Sequence, residues 1–532
     1  MGKHTKKLAA FLTAGLLSLS ALPALNASAA VERELIGYYG DLNGDMSVNV
    51  NDAVLLMRYL TADEQTVRLF EYYEEQDGAL PVAYLADLDG NQRLNAADLT
   101  LLKRLVISGA EPEGIYREYE VPDPPVKEEM IDAPINALRP TLACKGHNKL
   151  LMLVVEFPDC KFKQYYTPEQ IREISFGAAN PNSQYYPLES VIGYYERASY
   201  GALTMDADII TYTAQSSVYD YIEPSDDGKN YANATRLVNE LMADYDDQID
   251  FSKYDVNGDG TMDTILLSVA DNAPDDGWWP CSGGYAGNRR FDGVKPGNII
   301  LGNASPQDVE YYNNTWIHEL GHAMGLPDYY KYQNTENGYY GLNGPAGTEM
   351  MDDAFGDFCA YSKLMYGWYT PSQIQVYTCG TQTFRLKSSQ AEGGCVIIPR
   401  GELNGYLSEY MILEYATHEG NNATWWLFDS QKSGGLRAIH AESTVTQGYW
   451  GNELKWNNYG MYYDSSNERQ RVIRLVNESE GGKFYTAGQT IDGNVSGFHW
   501  YDENGYQTVN TGVKVTVDSI ADGELTLTVS EG

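Results

Sequence analysis

The stretch HELGHAMGLPD, running from His318 to Asp328, dictates both a local structure and a chemistry. Residues four apart share one face of an α-helix, so His318 and His322 can present two imidazoles to a single metal ion only if the segment is helical. Glu319 lies beside that face, placed to take a proton instead of ligating. Gly325 ends the helix, because glycine enters the left-handed conformation without a Cβ clash. Pro327 prevents the helix from resuming. The chain must turn back there, and the turn can deliver Asp328 to the metal as a third ligand. Three N/O ligands with one open position describe a catalytic zinc site, in which the metal brings the pKa of water toward ~7 and a carboxylate serves as base. The expected assignment is zinc on His318, His322 and Asp328, with Glu319 as the catalytic base.

Downstream, GTEMMDDAFGDFCAYSKLMYGWYTP places two adjacent methionines, Met350 and Met351. An apolar side chain beneath metal-bound histidines shapes the surroundings of the ion. Met351 is the expected residue of such a methionine turn, as found in metzincins.

A second metal signal is duplicated. GDLNGDMSVNVNDAVLLMRYL carries Asp41, Asn43, Asp45, Asn49 and Asp52, and ADLDGNQRLNAADLTLLKRLV carries Asp87, Asp89, Asn91, Asn95 and Asp98. Oxygen-bearing side chains thus recur at loop positions 1, 3, 5, 9 and 12, the spacing that wraps a loop around one calcium ion. Two calcium ions are expected. Position 8 is apolar in both copies (Val48, Leu94), while Met46 and Gln92 stand where such loops prefer glycine. A third segment, DVNGDGTMD, offers Asp255, Asn257, Asp259 and Asp263 with Gly260 at the sixth position, but position 12 is Leu266. It reads as one further structural calcium site, or else as a solvated acidic turn.

The remaining pattern divides the chain. Residues 1–30 run from basic through apolar to small residues, as a secretory signal peptide does. Residues 110–135 are rich in proline and charge and read as a linker. From residue 136 to 371, buried strands (HNKLLMLVVEFPD, TMDTILLSVADN) alternate with amphipathic helices (SVIGYYERASYG, ATRLVNELMADY), the pattern of an α/β domain. Residues 372–532 hold short alternating or β-branched runs between glycine-rich turns, which predicts a β-sandwich. The formal net charge of -37 repels phosphate backbones and anionic lipid, so neither nucleic acid nor membrane insertion is expected. Six cysteines permit disulfides, with Cys379–Cys395 and Cys144–Cys160 as candidate pairs; Cys144 is otherwise a structural thiol or a latency ligand for the zinc.

The duplicated loops and their following helices, residues 38–109, resemble a type I dockerin. That resemblance implies a small helical calcium module whose partner is a cohesin on a cellulosome scaffold, read through loop positions 10 and 11: Val50, Asn51, Ala96 and Ala97. Residues 149–371, with VVEFPD, YYERASYG, YDVNGDGTMD, the zinc motif and AYSKLMYGW, resemble the immune-inhibitor-A-type metalloproteases, secreted and metzincin-like. By that likeness His318, His322 and Asp328 are ligands and Glu319 is the base. The combined expectation is a secreted zinc endopeptidase acting on protein or peptide substrates. The competing reading is a non-catalytic cellulosome-attached protein that binds carbohydrate or cell surfaces, with Trp425, Trp426, Trp450, Trp456 and Trp500 as stacking platforms.

Overall fold

Residues 31–74, 81–120, 128–225, 229–274, 277–335, 338–342, 349–352, 355–423, 434–448, 451–456, 471–477 and 484–532 are described by the computed structural model of the chain. The expected signal peptide lies outside them. Two compact units are present, residues 1–127 and 128–532.

In the first unit each loop repeat feeds a helix. The elements are β1 (Val31–Tyr38), α1 (Val50–Leu60), α2 (Glu64–Glu74), α3 (Val82–Ala86), α4 (Ala96–Ser108) and β2 (Gly114–Glu120). Asn49 and Asn95 cap α1 and α4, and each forms a reciprocal capping box with the residue three further on, Asp52 and Asp98. Leu56 and Leu102, at equivalent places in the two copies, are completely buried between the helices. One segment read as linker is structured: residues 114–120 form β2, paired antiparallel with β1.

The second unit is built on a five-stranded sheet. Its strands are β3 (Gly146–Glu156), β4 (Leu203–Thr213), β5 (Thr264–Val269), β6 (Cys281–Gly284) and β7 (Asn298–Gly302), in the order β4-β3-β5-β7-β6. All neighbours are parallel except β6, which runs antiparallel at the edge. A strand covered on both faces has no polar side to show. This is why β5 is buried at all of its positions and why LLMLVV in β3 reads as one apolar run. Helices α5 (Pro168–Phe176), α6 (Val191–Ala198), α7 (Ala234–Tyr245), α8 (Val309–Ala323) and α9 (Ala360–Met365) accompany the sheet. Helix α8 approaches β7 so closely that a Cβ on Gly302 would sit 2.7 Å from the Trp316 ring. Among the described residues no helix is long and apolar enough to cross a membrane.

Beyond α9 the unit is almost entirely β. Strands β8 (Ile374–Val376), β10 (Cys395–Pro399), β11 (Glu409–Ala416), β12 (Gly435–Glu442) and β13 (Ile473–Leu475) form one sheet, and β9 (Gln382–Lys387), β14 (Thr490–Ile491), β15 (Val513–Ala521) and β16 (Glu524–Glu531) form another. Side chains alternate across the first sheet. Cys395 and Ile397 join the core built around the five-stranded sheet, while Val396 and Ile398 join a second core shared with the other sheet. Residues 128–532 are therefore one body with two cores. A buried ion pair, Lys363 Nζ to Asp357 at 2.6 Å, lies in it, and Lys363 also donates to Tyr200 Oη and Ser389 O.

All six cysteines are free thiols, so neither candidate disulfide forms. Cys144 and Cys160 lie beyond opposite ends of β3, whose 11 residues span roughly 35 Å. Cys395 faces the core while Cys379 is exposed. Trp500 is buried in the second core, and Trp456 donates to Glu442, so both have structural work; Trp425, Trp426 and Trp450 lie outside the described residues. His440, also buried, is held between Glu409 and Gln507.

Candidate metal centres

Helix α8 begins at the Asp308 cap and carries His318, Glu319 and His322 on its last two turns. Its end follows the sequence expectation. Gly325 adopts φ +104°, its N–H donates to His322 O, and Leu326 N–H donates to Gly321 O, the paired bonds of a Schellman terminus. The reversal brings Asp328 back over the helix. The imidazole nitrogens and the Asp328 carboxylate lie within 4.8 Å of one another. Asp328 Oδ1 is 3.0 Å from His318 Nε2 and 3.1 Å from His322 Nε2.

The tautomers follow from what faces the other ring nitrogens. His318 Nδ1 is 3.0 Å from Met350 O, and His322 Nδ1 is 2.8 Å from Leu326 O. A carbonyl only accepts, so both Nδ1 atoms carry the proton and both Nε2 atoms turn a lone pair toward the carboxylate. Two lone pairs and an anion facing one another require a shared cation, either a proton or a metal. The electrostatics agree. Burial pulls His322 down, but Asp328 outweighs it and raises the imidazole to about 9. Burial works to raise Asp328, yet His322 and His318 hold it well below the usual carboxylate range. Two imidazoles and one carboxylate fit zinc, and the backbone carbonyls behind them supply the outer partners that orient such ligands.

Glu319 does not join the cluster. It is almost fully buried, and its Oε2 has no hydrogen-bond partner among the described residues. Burial raises its pKa, with His322 and His318 opposing. A carboxylate kept basic, next to two imidazoles and with one oxygen unspent, can take and return a proton.

Met351 packs against the turn of α8 that carries the histidines. A Cβ on Gly321, the residue between Glu319 and His322 with no side chain, would stand 2.5 Å from Met351 Sδ. Met351 O accepts from Tyr329 N–H, next to Asp328. The sequence reading missed what steadies this turn. Glu349, fully buried, accepts from Met351 N–H through Oε2 and from Ser362 Oγ through Oε1. Tyr195 and Tyr366 donate to the α8 carbonyls of Ile317 and Gly321, and the Tyr330 ring stacks on His318 at 6.2 Å. Backbone acceptors leave no mark in a sequence; a charged residue beside two methionines was the available signal for Glu349. Cys144 belongs elsewhere, with burial raising its thiol to about 11.

The calcium loops share one hydrogen-bond plan. The first-position carboxylates, Asp41 and Asp87, accept from the N–H of position 5 and, through the other oxygen, from that of position 6. Position 3 (Asn43, Asp89) also accepts from position 5. Met46 and Gln92 both adopt φ +62°, the left-handed conformation that glycine would take more easily. Asp87, Asp89 and Asp98 gather within 4.8 Å, and Asp98 Oδ1 is buried without a partner among the described residues. The first loop is more spread: Asp52 accepts from Leu42 N–H and Asn49 N–H, and Asp41, Asp45 and Asp52 do not reach that spacing. Val50, Asn51, Ala96 and Ala97 are exposed at the helix starts.

Residues 39–107 match the dockerin type I domain model, and residues 302–393 match the peptidase M66 model. The second match spans His318–Asp328 and Met351, in agreement with the immune-inhibitor-A-like resemblance. No curated protein matches the chain. Among solved structures, wild-type OgpA from Akkermansia muciniphila aligns in two crystal forms at 16% identity, covering 55% of this chain and 74% or 75% of that one, with a TM-score of 0.22. The chain thus joins a type I dockerin domain near its N-terminus to a peptidase M66 domain further along.

Proposed function

We propose that the chain is a secreted zinc-dependent endopeptidase, tethered through its dockerin to a cohesin-bearing cellulosome scaffold. The dockerin implies calcium and a cohesin partner, and the M66 domain implies protein substrates. The observation that carries the reading is the convergence of His318 Nε2, His322 Nε2 and Asp328 Oδ1, beside a buried Glu319 whose Oε2 has no hydrogen-bond partner among the described residues. Zinc held there supplies Lewis-acid chemistry, acidifying water and polarising a carbonyl oxygen. Glu319 accepts the proton of the attacking water and returns it to the leaving amine. Met350 O and Leu326 O fix the two imidazoles, and Met351 supplies the floor. In this reading the five-stranded sheet with its antiparallel edge and the methionine turn make the domain metzincin-like, and the two C-terminal sheets a β-sandwich that braces it.

Cleavage of casein by the full chain, beside Glu319→Ala with zinc measured in both, tests the proposal. The expected result is loss of cleavage, by at least about 100-fold, with zinc retained in the variant. Cleavage by Glu319→Ala at the parental rate, or a parent that holds zinc and cleaves no protein, would overturn it.

A further inference from the structure

The loop between α7 and β5 repeats the dockerin plan in a unit with a different fold. Asp255 Oδ1 accepts from Asp259 N–H at 3.0 Å, Asp255 Oδ2 from Gly260 N–H at 2.8 Å, and Asn257 Oδ1 from Asp259 N–H at 2.9 Å. These are the position 1, 3, 5 and 6 bonds of both dockerin loops. Gly260 takes φ +84° at the place where Met46 and Gln92 are left-handed. The correspondence then breaks for a physical reason. A strand follows this loop instead of a helix, so position 12 is Leu266, buried in β5 and unable to ligate.

Asp263 fills the gap. In the first dockerin loop Asp52 accepts from the N–H of position 2, Leu42; here the position 2 residue, Val256, is the backbone donor that acts on Asp263. Asp263 is only 5% exposed, and its Oδ1 is buried with no hydrogen-bond partner among the described residues, as is Asp98 Oδ1 in the second dockerin loop. A buried carboxylate oxygen with no donor, in a loop that carries two further carboxylates, is unfavourable unless a cation neutralises it. The donors are all hard oxygens, on a loop as spread as the first dockerin loop, which suits calcium better than the smaller octahedral magnesium.

We infer that Asp255, Asn257, Asp259 and Asp263 hold a third calcium ion, resident in the larger unit and separate from both the dockerin and the zinc centre. The ion closes a junction. Gly260 O accepts from Lys295 N–H and from Arg290 Nη1, and Met262 N–H donates to Lys295 O. Asp263 N–H donates to Tyr254 O, and Tyr254 Oη donates to Asp208 on β4. One loop therefore ties β4 and the start of β5 to the connection between β6 and β7, the edge pair beside α8.

The test is calcium stoichiometry on the full chain, stripped with EGTA and titrated by calorimetry, for the parent, Asp259→Asn and Asp263→Asn, with Asp98→Ala as a dockerin control. Each loop variant is expected to bind one calcium fewer than the parent and to lose part of the calcium-dependent rise in the unfolding temperature of the larger unit. Asp98→Ala is expected to lose a different equivalent and keep that rise. Asp259 is exposed, so its variant reports even where Asp263→Asn misfolds. Equal stoichiometry in the parent and Asp259→Asn, or an equivalent filled by magnesium and not by calcium, would overturn the inference.

Discussion

Gly321→Ala sets a helix gain against a steric cost, and the structure decides the sign. In an open helix the change favours folding by about 0.8–1.0 kcal/mol. Here the new methyl would stand 2.5 Å from Met351 Sδ, 3.3 Å from its Cε and 3.5 Å from Tyr366 Oη. Ordinary carbon contacts begin near ~3.5 Å, so the methionine must retreat by roughly an ångström, and a fully buried Met351 has nowhere to swing. Overpacking of this kind costs about 1–3 kcal/mol. The net expectation is a loss of about 0–2 kcal/mol, small for the fold. The metal should register it more strongly. Met350 O holds His318 Nδ1 and Met351 O holds Tyr329 N–H, so a displaced turn reorients two ligands together. Loss of such outer partners weakens metal binding by about 10–100-fold. Competition with a chromophoric chelator gives the zinc affinity, and urea midpoints give the stability. Adding Met351→Ala should restore part of the affinity, because the methyl then has space. A Gly321→Ala protein that is more stable and binds zinc as tightly as the parent would refute the reasoning.

Burial drives Glu349 up to about 8, with Met351 N–H, Ser362 and Arg437 opposing and Asp352 assisting. A raised folded pKa means this group's contribution is complete below its unfolded value near 4.5 and is lost as pH rises through 8. Glu349→Gln should therefore remove up to ~1.4 kcal/mol per pH unit of decline across that window; parallel urea midpoints for parent and variant from pH 5 to 8 would contradict it. Lys363→Met leaves Asp357 buried and unpaired and should cost about 3–5 kcal/mol, with the added change Asp357→Asn recovering most of it, as equilibrium unfolding would measure. Asp98→Ala removes an expected calcium ligand and the reciprocal half of a helix cap, the latter worth about 1 kcal/mol, and should weaken capture on a cohesin panel in the presence of calcium; full capture would argue against the ligand role.

Local rules made much of this chain legible from sequence. Histidines four apart, a glycine and a proline specify a helix, its end and a reversal, because each acts through its own backbone or its nearest turn. The loop repeats are equally local, since spacing alone brings Asp87 and Asp89 round to Asp98. The apolar runs of β3 and β5 announce strands buried on both faces, although not the order in which they lie. What sequence could not supply depends on groups far apart in the chain. The Met350 carbonyl that fixes His318, and the Glu349 brace that reaches from Met351 to Ser362, arise only when separate segments meet. The same is true of the shared sheet that makes residues 128–532 one body: alternation along β10 predicts two faces, and only the folded chain decides what covers each. Short-range sterics and hydrogen bonding are written residue by residue, whereas burial and long-range partners exist only once the chain has closed on itself.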